Sequence, residues 1–384
     1  MIYDYIIIHY DEIGLKGKNR GSFEELLISN IEIKLKSLMK SCFRESGHIT
    51  IEIDGKANIS KIKEALSQIP GIAYFSLAKR VELNLDSLKK EAINFLEDKE
   101  YDSFKVNAVR HDKGFELNSM ELNSKLGEVI IKALNKKVKM KSPDIMLKIE
   151  LSKKSAYISN EDIKGVGGLP TNPQQKVVAL LSGGFDSPVA AYLMMKRGCE
   201  VILVHFHNKN QASSSVESKI TKLAEQLSKF QVKTKLYIVP FESLQKEIIM
   251  KVNSKLRMLV YRRFMLKIAS EVAGMNKAKF LIVGDSLSQV ASQTFENLEA
   301  TYTGLDKHVL SPLIGLDKRE IIEISKRIGT YEISAMPYGD CCSYFLAKHP
   351  TLKADVKLLE KNEALFDVDK LVEDVLSKSR VIGF

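Results

Sequence analysis

The chain has 384 residues, 45% of them hydrophobic and 28% charged, with a formal net charge of +10 and four cysteines. That composition fits a globular protein of two or three domains and excludes disordered, collagenous and disulfide-built classes. No apolar run reaches the roughly 18 residues of a membrane span. Met1-Ile2-Tyr3-Asp4-Tyr5 also lacks the basic start of a secretory leader, so a cytoplasmic protein with no membrane partner is expected.

Residues 5–10 (YIIIHY) predict a strand. A Gly/Lys-rich loop follows, then an amphipathic helix over about 23–39. A strand is expected at 48–53, a helix at 59–69 ending before Pro70-Gly71, and a strand at 72–83. This alternation suits a small α+β unit of ferredoxin-like type. A second unit starts near Asp86, with helices at 88–96 and 122–134 and strands at 104–110, 145–151 and 155–159. Gly165 to Pro173, with three glycines and two prolines in nine residues, reads as a linker. From Lys176 onward strands at 177–181, 200–206, 234–239 and 279–283 alternate with helices at 188–197, 214–229, 254–274 and 317–328. That rhythm predicts a parallel sheet covered by helices on both faces.

The most informative segment is Leu181-Ser182-Gly183-Gly184-Phe185-Asp186-Ser187-Pro188. An apolar strand before it and a helix after it make a strand–turn–helix unit, where nucleotide phosphates sit in α/β folds. Gly183 and Gly184 are expected to let the backbone approach an anion and to adopt unusual dihedrals. Ser182 and Ser187 add hydroxyls, and Asp186 can hold a magnesium ion. Pro188 is expected at the first helical position. The segment has neither the Gly-Lys-Ser/Thr ending of the Walker pattern nor the Gly-x-Gly-x-x-Gly dinucleotide fingerprint. Ser-Gly-Gly-x-Asp-Ser resembles the PP-loop of ATP pyrophosphatases, which split ATP between the α and β phosphates.

Further candidates lie at predicted strand ends. His205 and Phe206 could flank an adenine ring or be a capping histidine and a core phenylalanine. Gly284-Asp285-Ser286 is expected to end a strand and open a helix as a second anion-facing turn. Gln289 and Gln293 would then share one helix face. Arg262 and Arg263 sit mid-helix, where an inward arginine could clamp phosphate. Asp317 is a plausible N-cap for the helix that begins with Lys318, a candidate for stabilising phosphate charge.

Two basic clusters stand out, Lys16, Lys18 and Arg20 in one loop and Lys136, Lys137, Lys139 and Lys141 in another. Each suits RNA phosphates or a solvated face. Cys341 and Cys342 lie in a polar loop bounded by Pro and Gly, near Lys348 and His349, which would favour a thiolate. A nucleophile or sulfur carrier, half of a metal or iron–sulfur site, and a pair of inert thiols all remain open. Cys42 and Cys199 read as packing residues.

Taken together, these motifs make the chain similar to the tRNA 4-thiouridine synthetases (tRNA uracil 4-sulfurtransferases, the ThiI family). Glu12 to Arg20 (EIGLKGKNR) resembles their N-terminal signature. Phe104 to Lys113 with Gly165 to Pro170 resembles a THUMP domain. Ser182 to Pro188, Gly284 to Thr294 (GDSLSQVASQT), Pro312 to Lys318 and Asp340 to Cys342 resemble the PP-loop domain. The resemblance covers essentially the whole chain. It implies an α/β multidomain fold: an N-terminal ferredoxin-like α+β domain over 1–75, a THUMP RNA-binding domain over 76–168, and a C-terminal PP-loop ATP pyrophosphatase domain over 169–384. The last is expected to carry a Rossmann-like parallel sheet of the adenine nucleotide α hydrolase type.

The resemblance also implies a reaction. ATP and Mg²⁺ adenylate an oxygen on the base ring of uridine 8 of a tRNA. A persulfide on Cys341, with Cys342 as the alternative, then displaces AMP, and attack of the second cysteine on the first would break the S–S bond, leaving 4-thiouridine and a Cys341–Cys342 disulfide. Asp186 and Lys318 would take part in the chemistry. Leu180, Leu181, Ser182, Gly183, Gly184, Ser187, His205, Phe206, Arg262, Gly284 and Gln293 would bind ATP. Lys16, Lys18, Arg20, Lys136, Lys137 and Lys139 would grip the tRNA acceptor end through phosphates and shape. The chain is expected to lack the C-terminal rhodanese domain of some relatives, so sulfur would come directly from a cysteine desulfurase. A link to a thiamine sulfur-carrier protein and thiazole synthesis follows from the family, and a homodimer is compatible with it.

Overall fold

The computed structural model describes residues 3–45, 47–54, 57–112, 114–208, 214–337 and 350–384. Contacts divide the chain into two units, 1–170 and 171–384.

The first unit begins β1 (Tyr5–His9), α1 (Arg20–Leu35), β2 (Ser41–Glu45), β3 (His48–Glu52), α2 (Ile59–Leu66) and β4 (Tyr74–Val81). Strand order β2-β3-β1-β4, with antiparallel β1–β3, β1–β4 and β2–β3 pairs, is the βαββαβ arrangement of the expected ferredoxin-like type, with β2 added to the predicted elements. Its core joins Ile6, Ile8, Ile49 and Phe75 of the strands to Leu27 and Ile31 of α1 and to Ile62 and Leu66 of α2. The helical residues fall at i, i+4 spacing, which builds one apolar stripe. Asn58 caps α2 by accepting from Lys61 N–H.

The chain continues with α3 (Leu85–Glu97), β5 (Ser103–Arg110), α4 (Ser119–Leu134), β6 (Lys137–Val138), β7 (Ile145–Leu151), β8 (Ala156–Ser159) and β9 (Ile163–Lys164). β8 pairs with β4, so one nine-stranded sheet runs β2-β3-β1-β4-β8-β7-β5-β6, with β9 added to β4. The boundary expected at 75/76 therefore falls inside β4, a strand that serves both halves. α3 and α4 pack Leu88, Phe95, Leu122 and Leu126 onto Phe104, Leu147 and Ile149. Asn118 and Glu121 form a capping box on α4.

The second unit comprises β10 (Asn172–Leu180), α5 (Asp186–Lys196), β11 (Cys199–His207), α6 (Ser214–Ser228), β12 (Lys235–Pro240), α7 (Glu242–Lys251), α8 (Arg257–Met275), β13 (Phe280–Ile282), α9 (Phe295–Tyr302), β14 (His308–Leu310), α10 (Lys318–Arg327), α11 (Tyr331–Ala335), α12 (Val356–Glu363), α13 (Val368–Ser377) and β15 (Arg380–Gly383). Its sheet order is β14-β13-β10-β11-β12-β15, parallel except for the antiparallel β15 edge. The chain winds from β10 toward β12 on one side and returns to β13 and β14 on the other. The order thus reverses between β10 and β13, a topological switch point where α/β folds open a ligand crevice. α8 is buried along most of its length, packing Leu259, Phe264 and Ile268 against Val178, Val204 and Leu281.

Several sequence expectations need correction. The predicted helix 254–274 starts at Arg257, and α7 before it was not anticipated. β10 begins at Asn172, inside the predicted linker. No helix opens at Ser286: residues 283–290 are irregular, and a short 3₁₀ turn covers Ala291–Gln293. Among the described residues, no helix is long and apolar enough to cross a membrane.

Candidate active site

At the carboxyl end of β10 the chain turns sharply and enters α5. The turn is closed by side chains: Ser182 N–H donates to Ser187 Oγ at 2.8 Å, and the two hydroxyls lie 2.9 Å apart. Gly184 N–H points back to Ser182 Oγ at 3.3 Å. Neither Gly183 nor Gly184 is among the positive-φ residues, so unusual dihedrals are not why glycines stand there. A Cβ on Gly184 would meet only Ser182 Oγ at 3.6 Å, so the position faces open space. α5 has no side-chain cap on its first turn. Its N–H groups and positive dipole end are therefore available to an anion. Pro188 is the third helical residue rather than the first, still within the turn that lacks intrahelical N–H partners.

Gly284, just past β13, explains how the switch point closes. A Cβ there would lie 2.8 Å from Ser187 N and 3.0 Å from the Asp186 carbonyl carbon. The absent side chain lets the β13 end touch the start of α5.

Between these elements and α8 lies a cavity of about 550 Å³. Leu180, Leu181, Ser182, Ser187, His205 and Phe206 line it from β10, the turn and β11, as does Asp186. Arg262, Gly284 and Gln293 line the opposite side. Of the residues expected to bind nucleotide, only Gly183 and Gly184 are not in its wall. Sequence reading missed the apolar wall given by Met258, Leu259, Met265 and Leu266 of α8, along with Lys255, Pro350 and Thr351. An unbroken helical periodicity gave no sign of which face met a ligand.

Asp186 sits in α5's first turn. Lys318 Nζ donates to its Oδ1 at 2.6 Å, and Gln289 Nε2 donates to its Oδ2 at 3.1 Å. Asp317 and Glu320 form a capping box that fixes the start of α10 and hence Lys318. The Lys318 ammonium lies 5.6 Å above the Phe185 ring, which packs on Tyr331 at 5.3 Å. Asp186 is a hard oxygen donor beside a phosphate-type turn. One such carboxylate fits Mg²⁺, which commonly takes one or two carboxylates plus phosphate oxygens.

Asp285 behaves differently from the anion-facing role expected of it. It is buried and accepts from Arg262 at 2.5 Å, from Gln293 at 3.0 Å and from Tyr302 Oη. Burial alone would raise its pKa, but the Arg262 charge and these hydrogen bonds hold it below the usual carboxylate range. Gln289 and Gln293 do not share a helix face, because Ser288 is left-handed (φ 61°) and Val290 is extended. They still converge on the two aspartates. Their buried Oε1 atoms meet no partner among the described residues, and of the two only Gln293 lines the cavity. Arg263 is structural: it pairs with Glu363 at 2.7 Å and donates to the Ala300 and Thr303 carbonyls at 2.8 Å.

His205 is buried at the end of β11, and its Nδ1 lies 2.9 Å from the Leu181 carbonyl. A carbonyl only accepts, so Nδ1 carries the hydrogen and Nε2 is the bare nitrogen. Burial pushes its pKa down to about 4, so the ring is neutral. Phe206 is both wall and core, stacking edge-on against Phe241 at 5.4 Å.

Of the basic clusters, Lys18, Lys137, Lys139 and Lys141 are exposed. Arg20 instead pairs with buried Glu24 at 2.9 Å and lies over Tyr10. Lys136 donates to the Tyr101 carbonyl at 2.5 Å, and Lys16 sits 5.3 Å from the Phe23 ring. Cys341 and Cys342, with Lys348 and His349, lie outside the described residues. Burial raises the Cys42 thiol to about 12 and shifts that of Cys199 upward, as suits inert packing cysteines.

Comparison with known proteins agrees with this architecture. Residues 172–368 match the model of the thiamine biosynthesis protein (ThiI) family, residues 5–76 its ferredoxin-like domain, and residues 82–161 the THUMP domain. A probable tRNA sulfurtransferase of Thermoanaerobacter pseudethanolicus is 39% identical over 373 residues, 97% of each chain. One of Bacillus pumilus is 37% identical, covering 100% of this chain and 96% of the other. A crystal structure of a 4-thiouridine synthetase–RNA complex with bound ATP superposes with TM-score 0.90 at 35% identity, over 100% of both chains.

Proposed function

Because the chain belongs to the ThiI family of tRNA sulfurtransferases, we propose that its second unit uses ATP to adenylate uridine 8 of a tRNA and then installs sulfur at that base. The observation that carries this reading is the cavity at the β10/β13 switch point, with a serine-closed turn and an uncapped helix N-terminus at one end and an apolar α8 wall at the other. Triphosphate suits the polar end, and a flat purine suits Leu180, Phe206 and Met258. The related 4-thiouridine synthetase was solved with ATP and RNA bound. Asp186 would hold a magnesium ion, which supplies charge neutralisation on the phosphates when bound. Lys318 and the α5 N-terminus stabilise negative charge as pyrophosphate departs.

Cys341 is the proposed persulfide carrier, with Cys342 as the alternative, and a cysteine desulfurase is the proposed donor. Support comes from the described residues on either side. Ser334 Oγ donates to the Gly184 carbonyl of the turn at 3.1 Å. Pro350 and Thr351 line the cavity, and Asn297 holds this return by donating to the Thr351 carbonyl at 2.9 Å. The chain thus leaves for the cysteines from the turn and comes back at the cavity wall. Exposed Lys18, Lys137 and Lys139 of the first unit are proposed tRNA phosphate contacts.

The test is a single-turnover reaction with tRNA, Mg²⁺-ATP and a persulfide donor, read by nucleoside mass spectrometry. We expect 4-thiouridine from the native chain. Cys341→Ala should abolish it while ATP binding survives. ATP consumption with no change in any tRNA nucleoside would defeat the reading. Loss in Cys342→Ala alone would move the carrier by one residue.

A further inference from the structure

The first unit holds a cluster of imidazoles that the sulfur-transfer reading does not use. His9 ends β1, His48 begins β3, His111 follows β5, and Glu150 lies on β7. Glu150 presents one carboxylate oxygen to His9 Nε2 at 3.1 Å and the other to His111 Nε2 at 2.9 Å. The His48 ring lies 4.9 Å from that of His111 and 6.1 Å from that of His9. His48 is 0% exposed, and neither of its ring nitrogens meets a hydrogen-bonding partner among the described residues. The Glu150 oxygens go to His9 and His111, and neither is in hydrogen-bonding contact with His48. A buried polar group without a partner calls for an account. A buried imidazole with an unused lone pair is what a transition metal takes.

The spacing fits as well. Ligand atoms of His48, His111 and Glu150 all lie within 4.8 Å of one another. Tetrahedral zinc with bonds of about 2.0–2.1 Å sets its ligands roughly 3.3 Å apart, so small side-chain adjustments reach that geometry. Aromatic neighbours pack against the rings. Tyr74 stacks on His9 at 4.4 Å, and Tyr157 sits edge-on to His48 at 6.2 Å. Tyr157 is itself anchored by donating to Glu45 at 2.7 Å.

We propose that His48, His111 and Glu150 form a binding site for a divalent transition cation of the zinc type, with His9 hydrogen-bonded to the Glu150 carboxylate and holding it in place. Two imidazoles and one carboxylate select a borderline metal over Mg²⁺ or Ca²⁺, which prefer all-oxygen shells. Its ligands come from β3 and from the adjacent strands β5 and β7, which β1, β4 and β8 separate from β3 in the sheet order, so a bound ion would cross-link the first unit. The proposal is independent of the ATP reaction.

The test uses the full chain, stripped with chelator and titrated with Co²⁺ and then Zn²⁺ without nucleotide. Ligand-field absorption reports coordination, and thermal melting reports stability. Parallel proteins are His111→Gln, at the partly exposed rim where folding is least at risk, Glu150→Gln, and Cys341→Ser/Cys342→Ser. Circular dichroism checks that each is folded. We expect one Co²⁺ per chain in the native and cysteine-free proteins, displaced by Zn²⁺. Affinity should fall at least about tenfold in His111→Gln and Glu150→Gln, and the metal-dependent rise in melting temperature should vanish with it. Absence of binding to folded native chain would overturn the proposal. So would binding that survives both substitutions or disappears with the cysteines.

Discussion

The Lys318 ammonium reaches from the first turn of α10 to the Asp186 carboxylate in the first turn of α5, closing to 2.6 Å. Two helix starts are thereby joined at the mouth of one cavity. The Lys318 side chain is 44% exposed and that of Asp186 23%, so this pair adds little to stability, about 0–1 kcal/mol. Its value lies in placing a positive charge beside a turn shaped for phosphate.

Lys318→Met should therefore separate rate from fold. Unfolding free energy is expected to shift by less than about 1 kcal/mol. The kcat for pyrophosphate release should fall on the order of 10²-fold, with KM for ATP changed much less. An unaltered kcat would show that Lys318 only holds Asp186 in place.

Gly284 and Gly184 make contrasting predictions. A Cβ on Gly284 strikes the Ser187 backbone at 2.8 Å, and backbone cannot yield as a side chain can. Gly284→Ala should cost about 1–3 kcal/mol. Gly184→Ala, with only Ser182 Oγ at 3.6 Å, should stay within about 0.5 kcal/mol. Chemical denaturation of the two variants decides. Equal midpoints would mean that β13 and α5 part easily at the switch point.

The turn at 181–188 was legible in sequence because strand, glycine pair and helix are all local signals. So was the N-cap at Asp317, which accepts from the backbone three residues away. β2 escaped detection: SCFRE is a partly exposed edge strand without clean alternation. β15 escaped for a similar reason, since RVIG is short and its antiparallel seat on β12 depends on chain 140 or more residues back. Gln289 and Gln293 meet near the turn by a route the sequence did not show. Helical spacing suggested a shared face, but a left-handed Ser288 and a 3₁₀ turn bring them to the aspartates. The histidine cluster was invisible because its members come from four strands or strand ends whose proximity only the paired sheet reveals.

His205 makes stability depend on pH in a defined direction. Its folded pKa, about 4, lies below the ordinary 6.5. The unfolded chain therefore binds the proton first as pH falls. Its stabilising contribution is complete above pH 6.5, is lost between 6.5 and 4, and changes no further below 4. The full loss is on the order of 3 kcal/mol. Burial lowers His207 and His48 as well. The measured quantity is accordingly the difference between native and His205→Gln unfolding free energies across this window. A difference independent of pH would place His205 in a more hydrated setting than its burial indicates.

Asp285 and Arg262 provide the opposite case to Lys318 and Asp186. Both are well covered, with side chains 5% and 18% exposed, and they lie 2.5 Å apart. Asp285→Asn leaves the Arg262 charge beside the cavity without its counterion, an arrangement that costs about 3–5 kcal/mol. Arg262→Met strands the aspartate in turn, and should cost a similar amount unless Tyr302 and Gln293 satisfy the carboxylate between them. The double variant removes both charges and is expected to recover much of the loss, because desolvation of the pair largely cancels its attraction. Recovered stability should come without recovered ATP affinity, since Arg262 is also part of the cavity wall. Calorimetric titration with ATP alongside denaturant unfolding reads both quantities. Strictly additive stability losses would show that the two residues do not act as one buried pair.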